Sequence, residues 1–137
     1  MNTSDIQFRE QRDLPVEQVA SLFAENRWLD LAADPPRLCR ALEGSHAVVS
    51  AWDRDVLVGL ANAISDGHLV VYFPYLLVRP VYQRHGIGSE LLQRMSEKYL
   101  GFKQQVLVSE PEAVDFYAKH RFGRFTDATA FLKLPDA

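Results

Sequence analysis

The chain has a single cysteine, Cys39, in 137 residues. No disulfide can close within it, and a reducing compartment fits. A lone cysteine on an expected helix reads as a small packing group before it reads as a nucleophile. Long apolar runs are missing too: no stretch approaches the ~20 residues that a membrane-crossing helix needs. The N-terminus lacks the basic-then-apolar pattern of a secretory signal. A cytoplasmic protein with no membrane partner is therefore expected. Positive charge is not in excess. The net charge is −3, which argues against a nucleic-acid partner. The histidines, His46, His68, His85 and His120, are scattered with no pair at a metal-ligand spacing, so no metal is expected. Repeats, low-complexity tracts and linkers are absent, so residues 1–137 are expected to form one domain.

What is there is an ordinary globular composition, 47% apolar and 24% charged, long enough to bury a core without staples. The most informative stretch runs from Tyr75 to Ser89. It reads as an apolar strand, a turn, a loop carrying Gly86 and Gly88, and a helix. Leu91, Leu92, Met95 and Tyr99 recur at helical spacing and give that helix one apolar face. A glycine loop feeding a helix N-terminus is an anion site in waiting, because its N–H groups point outward and the helix dipole favours negative charge. Without a Cβ, Gly86 and Gly88 let a phosphate approach the backbone. Arg84 and His85 add charge or hydrogen bonds. The plainer alternative is a tight connection whose glycines serve only the turn.

Along the rest of the chain, Ile6–Arg9 alternates as a first strand. Asp13-Leu14-Pro15 opens a helix carrying Val16, Val19, Ala20, Leu22 and Phe23. Asp34-Pro35-Pro36 is a break. Leu38, Cys39 and Leu42 mark a second short helix that stops at Gly44. Trp28 lies between the two helices, either as a core plug or as a pocket wall. Residues 47–52, 56–64 and 69–78 read as antiparallel strands joined by turns at Asp53–Asp55 and Ser65–His68. Pro74 in the last of these demands a bulge or an end to pairing. Residues 105–109 form a further strand. Pro111 and Glu112 open a helix with Val114, Phe116 and Tyr117 on its apolar side. Phe122–Phe125 and Ala130–Leu134 are expected as a terminal hairpin. The order predicts an α+β fold, a central sheet flanked by helices.

Gln83-Arg84-His85-Gly86-Ile87-Gly88, after a strand ending Leu76-Leu77-Val78-Arg79-Pro80, resembles the acetyl-CoA pyrophosphate loop of GNAT-family N-acetyltransferases. The dinucleotide fingerprint would need a third glycine at Leu91, and a P-loop would end in Gly-Lys-Ser/Thr. The order of elements also resembles this family over essentially the whole chain, most strongly from Leu69 to Phe122. The resemblance implies a mixed, mostly antiparallel GNAT-like sheet with a splayed central strand. It also implies acetyl-CoA as co-substrate and direct transfer of the acetyl group to a primary amine.

On that resemblance Gln83, Arg84, His85, Gly86, Ile87, Gly88 and Ser89 hold the pyrophosphate, and the backbone of Leu76, Leu77 and Val78 meets the thioester and its arm. Phe116-Tyr117-Ala118-Lys119-His120-Arg121-Phe122 resembles the family's Phe-Tyr-x-x-x-Gly-Phe motif, which makes Tyr117 the acid that protonates the departing thiolate. A phenol, with its ordinary pKa of ~10, keeps its proton at neutral pH. Two departures stand out. Pro111 replaces an asparagine that contacts the pantetheine arm, and Arg121 replaces the glycine that ends the helix. Asp66, His68 and Glu110 read as turn residues before they read as a general base. Trp28, Tyr72 and Tyr75, with the acidic balance, lean toward a small-molecule amine that is cationic or aromatic. Two other readings stay open: a non-catalytic acyl-CoA-binding module, and an acetyltransferase of protein N-termini or lysines. A homodimer through the sheet edge or terminal strands also stays open, with Ala130-Phe131-Leu132 as its apolar contact.

Overall fold

The computed structural model describes residues 5–135. Strand β1 (Ile6–Arg9) leads into helix α1 (Val16–Glu25), a single turn α2 (Leu29–Ala32) and helix α3 (Pro35–Glu43). Strands β2 (Ala47–Asp53), β3 (Val56–Ser65), β4 (Val70–Tyr72) and β5 (Leu76–Val78) follow. Helix α4 (Ile87–Glu97), strand β6 (Gln104–Val106) and helix α5 (Val114–Lys119) complete the described elements. The sheet has six strands in the order β1-β2-β3-β4-β6, and β5 also pairs with β3. Every pairing is antiparallel except β4 with β6.

Strand alternation sorts the apolar side chains into two layers. Val49, Ala51, Ala61, Ala63, Val71 and Phe73 pack on one face against Ile87, Leu91, Met95 and Tyr99 of α4 and its C-terminal turn. Val48, Trp52, Leu57, Leu60 and Leu77 pack on the other against Val19, Leu22 and Phe23 of α1 and Leu38 and Leu42 of α3. Each fully buried Leu or Phe contributes about 1.5–3 kcal/mol, so the two layers dominate the stability. Gly59 lies where β3, β5 and α4 meet. A Cβ there would stand 2.9 Å from the Leu77 carbonyl oxygen and 3.1 Å from Leu91 Cδ1, so only glycine lets α4 lie this close.

Several expectations need correction. Pro35 and Pro36 begin α3 rather than break the chain, with the Asp34 carboxylate capping the Arg37 N–H at 3.3 Å. The one-turn α2 was not expected. The strand expected over 69–78 is two strands, β4 and β5, parted at Phe73–Tyr75. The strand expected over 105–109 is shorter and starts earlier, at Gln104. The terminal hairpin is not formed: Phe122–Phe125 and Ala130–Leu134 are irregular, and Phe131 and Leu132 are 93% and 83% exposed. Those residues have the alternation of strands but no strand partner among the described residues. Cys39 is buried between α3 and the sheet, and burial pushes its thiol up, which suits packing and not nucleophilic attack.

Candidate active site

The site starts from one missing donor. β4 and β6 run parallel through the pairs Val70 with Gln104, Val71 with Gln105 and Tyr72 with Val106. The Phe73 N–H adds a last rung to the Val106 carbonyl at 2.9 Å. Pro74 has no N–H to give, and the ladder stops there. Beyond it β5 pairs only with β3, and residues 107–110 run on without a strand partner. A wedge therefore opens between β5 and the chain after β6.

Asn62 of β3 repairs the other side of the interruption. Its Oδ1 accepts the Tyr75 N–H at 3.0 Å, and its own N–H donates to the Tyr75 carbonyl at 3.1 Å. Its amide also donates to Ser45 Oγ at 3.1 Å, and the residue is almost fully buried. Tyr75 thus faces β3, as does Arg79, whose N–H donates to the Val58 carbonyl at 2.7 Å. Alternation along an antiparallel strand turns Leu77 the same way and points the backbone of Leu76 and Val78 into the wedge. The Val78 carbonyl is taken by Gln83 Nε2 at 2.9 Å, which leaves the Leu76 groups and the Val78 N–H turned outward.

The wedge ends on the glycine loop. A one-turn 3-10 helix, Pro80–Tyr82, reverses the chain, and Arg84 and Gly86 both take left-handed backbone angles, with φ of 66° and 86°. Gly86 is the N-cap of α4, and its carbonyl accepts the first helical N–H, from Glu90, at 3.1 Å. Among the described residues no acceptor takes the N–H of Ile87, Gly88 or Ser89. A Cβ on Gly86 would have no atom within 4 Å, so the approach to these donors is open. His85 Nδ1–H donates to the Gln83 and Tyr82 carbonyls at 2.8 and 3.3 Å, which braces the loop and leaves Nε2 outward. The exposed donors, the left-handed glycine and Arg84 together fit a diphosphate.

Helix α5 closes the far side. Its Phe116 ring lies against Gly88, 3.7 Å from where a Cβ would stand, and His120 Nε2 is 3.1 Å from Ser89 Oγ. Tyr117 stacks edge-on with Phe116 and Phe122 at 5.1 and 6.2 Å between ring centres, and Phe122 in turn meets Phe73 at the apex of the wedge, at 6.3 Å. Burial, and next the nearby Glu110 carboxylate, push the Tyr117 phenol above its ordinary range, so it holds its proton at neutral pH. Glu110 itself is pushed up by its hydrogen bond to Glu112 and by that neighbour's charge. Arg121 adopts the left-handed conformation itself, at φ 70°, with its N–H on the Ala118 carbonyl and the Phe122 N–H on the Tyr117 carbonyl. That is a Schellman ending built on arginine where glycine is usual.

On the opposite face Trp28, Tyr75 and Phe23 form a triangle with ring centres 5.4–5.5 Å apart. Residues 27–31 line a surface cavity of about 330 Å³. Tyr72 stands apart, exposed on β4 in register with Ile64 and Val106. Asp66 is committed to its turn: Oδ1 accepts the N–H of His68, Leu69 and Val70 at 2.9, 2.8 and 3.2 Å, which lowers its carboxyl to about 2. The expected residues therefore gather in two groups, Leu76 and Val78 with the glycine loop and Tyr117, and Trp28 with Tyr75, while the backbone of Leu77 is spent on β3. Asn62 and Arg79 were missed. Their signal was present, since asparagine and arginine are out of place in otherwise apolar strands.

The comparisons show the family and the fold. The acetyltransferase (GNAT) domain model matches residues 14–131. An uncharacterized ycf52-like N-acetyltransferase of Prochlorococcus marinus is 31% identical over 59% of this chain and 48% of its own length, so the chain spans about half the length of that curated relative. A GNAT-family acetyltransferase of Streptococcus pneumoniae superposes at a TM-score of 0.83 with 29% identity, over 95% of this chain and 98% of that one. An aminoglycoside N-acetyltransferase solved in complex with CoA shares the fold at a TM-score of 0.67 and 17% identity, over 93% and 94% of the two chains. Among the described residues no helix is long and apolar enough to cross a membrane. With the wedge, the glycine loop and the family match over most of its length, the chain belongs to the GNAT acetyltransferase family.

Proposed function

We propose that this chain is an acetyl-CoA-dependent N-acetyltransferase that moves an acetyl group directly to the primary amine of a small molecule. The observation that carries the proposal is the unpaired edge of β5, which ends on a glycine loop with free N–H donors. When bound, acetyl-CoA supplies an activated acetyl thioester. The N–H groups of the loop from Arg84 to Ser89, with the Arg84 side chain, would hold its diphosphate, while Gln83, whose N–H donates to the Pro80 carbonyl and whose side-chain amide donates to the Val78 carbonyl, would brace the loop. The outward backbone of Leu76 and Val78 would orient the arm and polarise the carbonyl, with Leu77 anchoring the strand to β3. The amine nitrogen attacks the carbonyl carbon, the C–S bond breaks, and Tyr117 gives its proton to the sulfur. The thiolate pair thus ends as a thiol, and the amine proton leaves to solvent or a base.

Trp28, Tyr75 and the cavity beside them support an acceptor that carries positive charge or an aromatic body. Tyr72, set apart on β4, is a weaker member of that group. We take residues 1–137 as one catalytic domain, acting in the cytoplasm, without a metal. We take it to act as a homodimer, which the unpaired β6 edge and the exposed apolar residues of the C-terminal segment support.

The test is calorimetry with acetyl-CoA, followed by thiol release across a panel of small amines and a lysine-bearing peptide. Wild type should bind, and Gly88→Glu should weaken binding by ~10-fold or more by placing a carboxylate among the donors. Equal binding by both proteins would sink the loop assignment. Tight binding without thiol release from any acceptor would mean a non-catalytic acyl-CoA module. Release with the peptide alone would move the acceptor to protein amines.

A further inference from the structure

The two loops that would meet the two substrates come from different elements. The acceptor loop, residues 26–30, follows α1, whereas the glycine loop follows β5. Arg79 joins them. It is 7% exposed, and its guanidinium reaches four partners: the Leu57 carbonyl at 2.6 Å, Ser21 Oγ at 2.7 Å, Glu25 Oε2 at 2.6 Å and the Gln18 carbonyl at 3.3 Å. Gln18, Ser21 and Glu25 form one stripe along α1. The cation therefore spans the helix lengthwise and resists both its sliding and its rotation. The last turn of α1 has no basic residue of its own, so Arg79 also supplies the charge that a helix C-terminus favours.

A second tie lies one step outward. Gln83 Nε2, which holds the Val78 carbonyl, also donates to Asn26 Oδ1 at 3.4 Å. Asn26 in turn donates to the Leu22 carbonyl at 3.0 Å. From there Arg27, at φ 69°, and the Trp28 N–H on the Phe23 carbonyl at 3.0 Å turn the chain back. That turn brings Trp28 onto Tyr75, which begins the approach to β5.

We propose that Arg79, Glu25, Asn26 and Gln83 form a latch of positioning residues that makes the acceptor loop and the glycine loop one mechanical unit. Occupancy of the glycine loop by a CoA diphosphate then orders Trp28, and an acceptor held at Trp28 tightens CoA in return. The proposal rests on the reading of the glycine loop as the CoA site. Lysine cannot replace Arg79, because one ammonium does not span Leu57 and Glu25 together.

The chain has two tryptophans, so Trp52→Phe leaves Trp28 as the sole reporter. The probe is CoA, and the readouts are acrylamide quenching of Trp28 and calorimetry on the same samples. In the Trp52→Phe parent, CoA should lower the quenching constant by about twofold or more. In Glu25→Ala/Asn26→Ala on that background, CoA should bind within about threefold of the parent, yet leave Trp28 quenching unchanged. Both positions are partly exposed, so the fold should survive. Arg79→Lys is a second arm with the same expected loss of response. With the correct amine, each variant should raise acceptor KM by about fivefold while kcat falls less. Trp28 responding in the variants as in the parent would overturn the latch. So would CoA binding to the parent without any change at Trp28. Failure of the parent to bind CoA would overturn the site reading beneath both.

Discussion

Arg27 and Arg121 hold the same unusual position in two different helices. Each sits one residue beyond a helix cap in the left-handed region, at φ 69° and 70°, and each turns the chain so that an aromatic residue, Trp28 or Phe122, packs back. A side chain in that conformation costs roughly 1–2 kcal/mol, part of which glycine would forfeit to its freer unfolded chain. Arg121→Gly should therefore stabilise the protein by about 1 kcal/mol, read as a higher urea midpoint at unchanged slope. Tyr117 allows a catalytic test at the same scale. Tyr117→Phe should lower kcat by roughly 10²-fold, with a much smaller change in the KM for acetyl-CoA. The sign of the pH effect follows from the raised phenol: an acid works while protonated, so wild-type activity should hold to the ordinary phenol range and fall only above it. Most of these side chains were legible by type and spacing. Arg121 was legible only as an anomaly, because sequence does not say whether a helix will bear strain or end another way.

Among the elements, the turn between β3 and β4 depends on one carboxylate. Asp66 accepts three backbone N–H groups, and its carboxyl falls from 3.8 to about 2. A lowered folded-state value means that the contribution is fully present above the unfolded value. It is lost as pH falls from about 4 through about 2. Asp66→Asn should remove that pH-dependent part, seen as a shallower loss of thermal stability between those two values. The strand broken at Pro74 was legible as a break, since proline cannot sit in a central ladder. Its consequence was not. Whether a missing donor yields a bulge, an end or a wedge depends on Asn62, which lies twelve residues earlier and repairs only one side. The short α2 was missed for a related reason: one helical turn is too short for any periodicity to register.

The whole molecule shows where sequence pattern stops being informative. The two core layers follow the alternation of β2 and β3 and the helical spacing of α1, α3 and α4, and all of that could be read. The terminal hairpin could not, because alternation marks a segment that can pair and does not name its partner. Here Phe122 is anchored on Phe73, while Phe125, Phe131, Leu132 and Leu134 are 69–93% exposed. One sheet face is also bare: Ile64, Tyr72 and Val106 stand in register with Val70 two residues along β4, and the four are 38–55% exposed. A chain with both surfaces is suited to cover one with the other from a second copy. Light scattering should give twice the chain mass for residues 1–137 and the single mass after truncation at Gly123. A monomer of residues 1–137 at every concentration, or a dimer indifferent to truncation, would contradict the proposed homodimer.

Pro74 has one more consequence, in the currency of time. A strand shut on both sides protects its amides alike, whereas a strand shut on one side protects every second one. The Leu77 amide, held by β3, should exchange with deuterium slowly. Those of Leu76 and Val78 should exchange fast although their side chains lie half or fully buried. Bound CoA should slow that pair and leave Leu77 as it was. The wedge would then be read as a rhythm of fast and slow amides along three residues, legible without any knowledge of the acceptor.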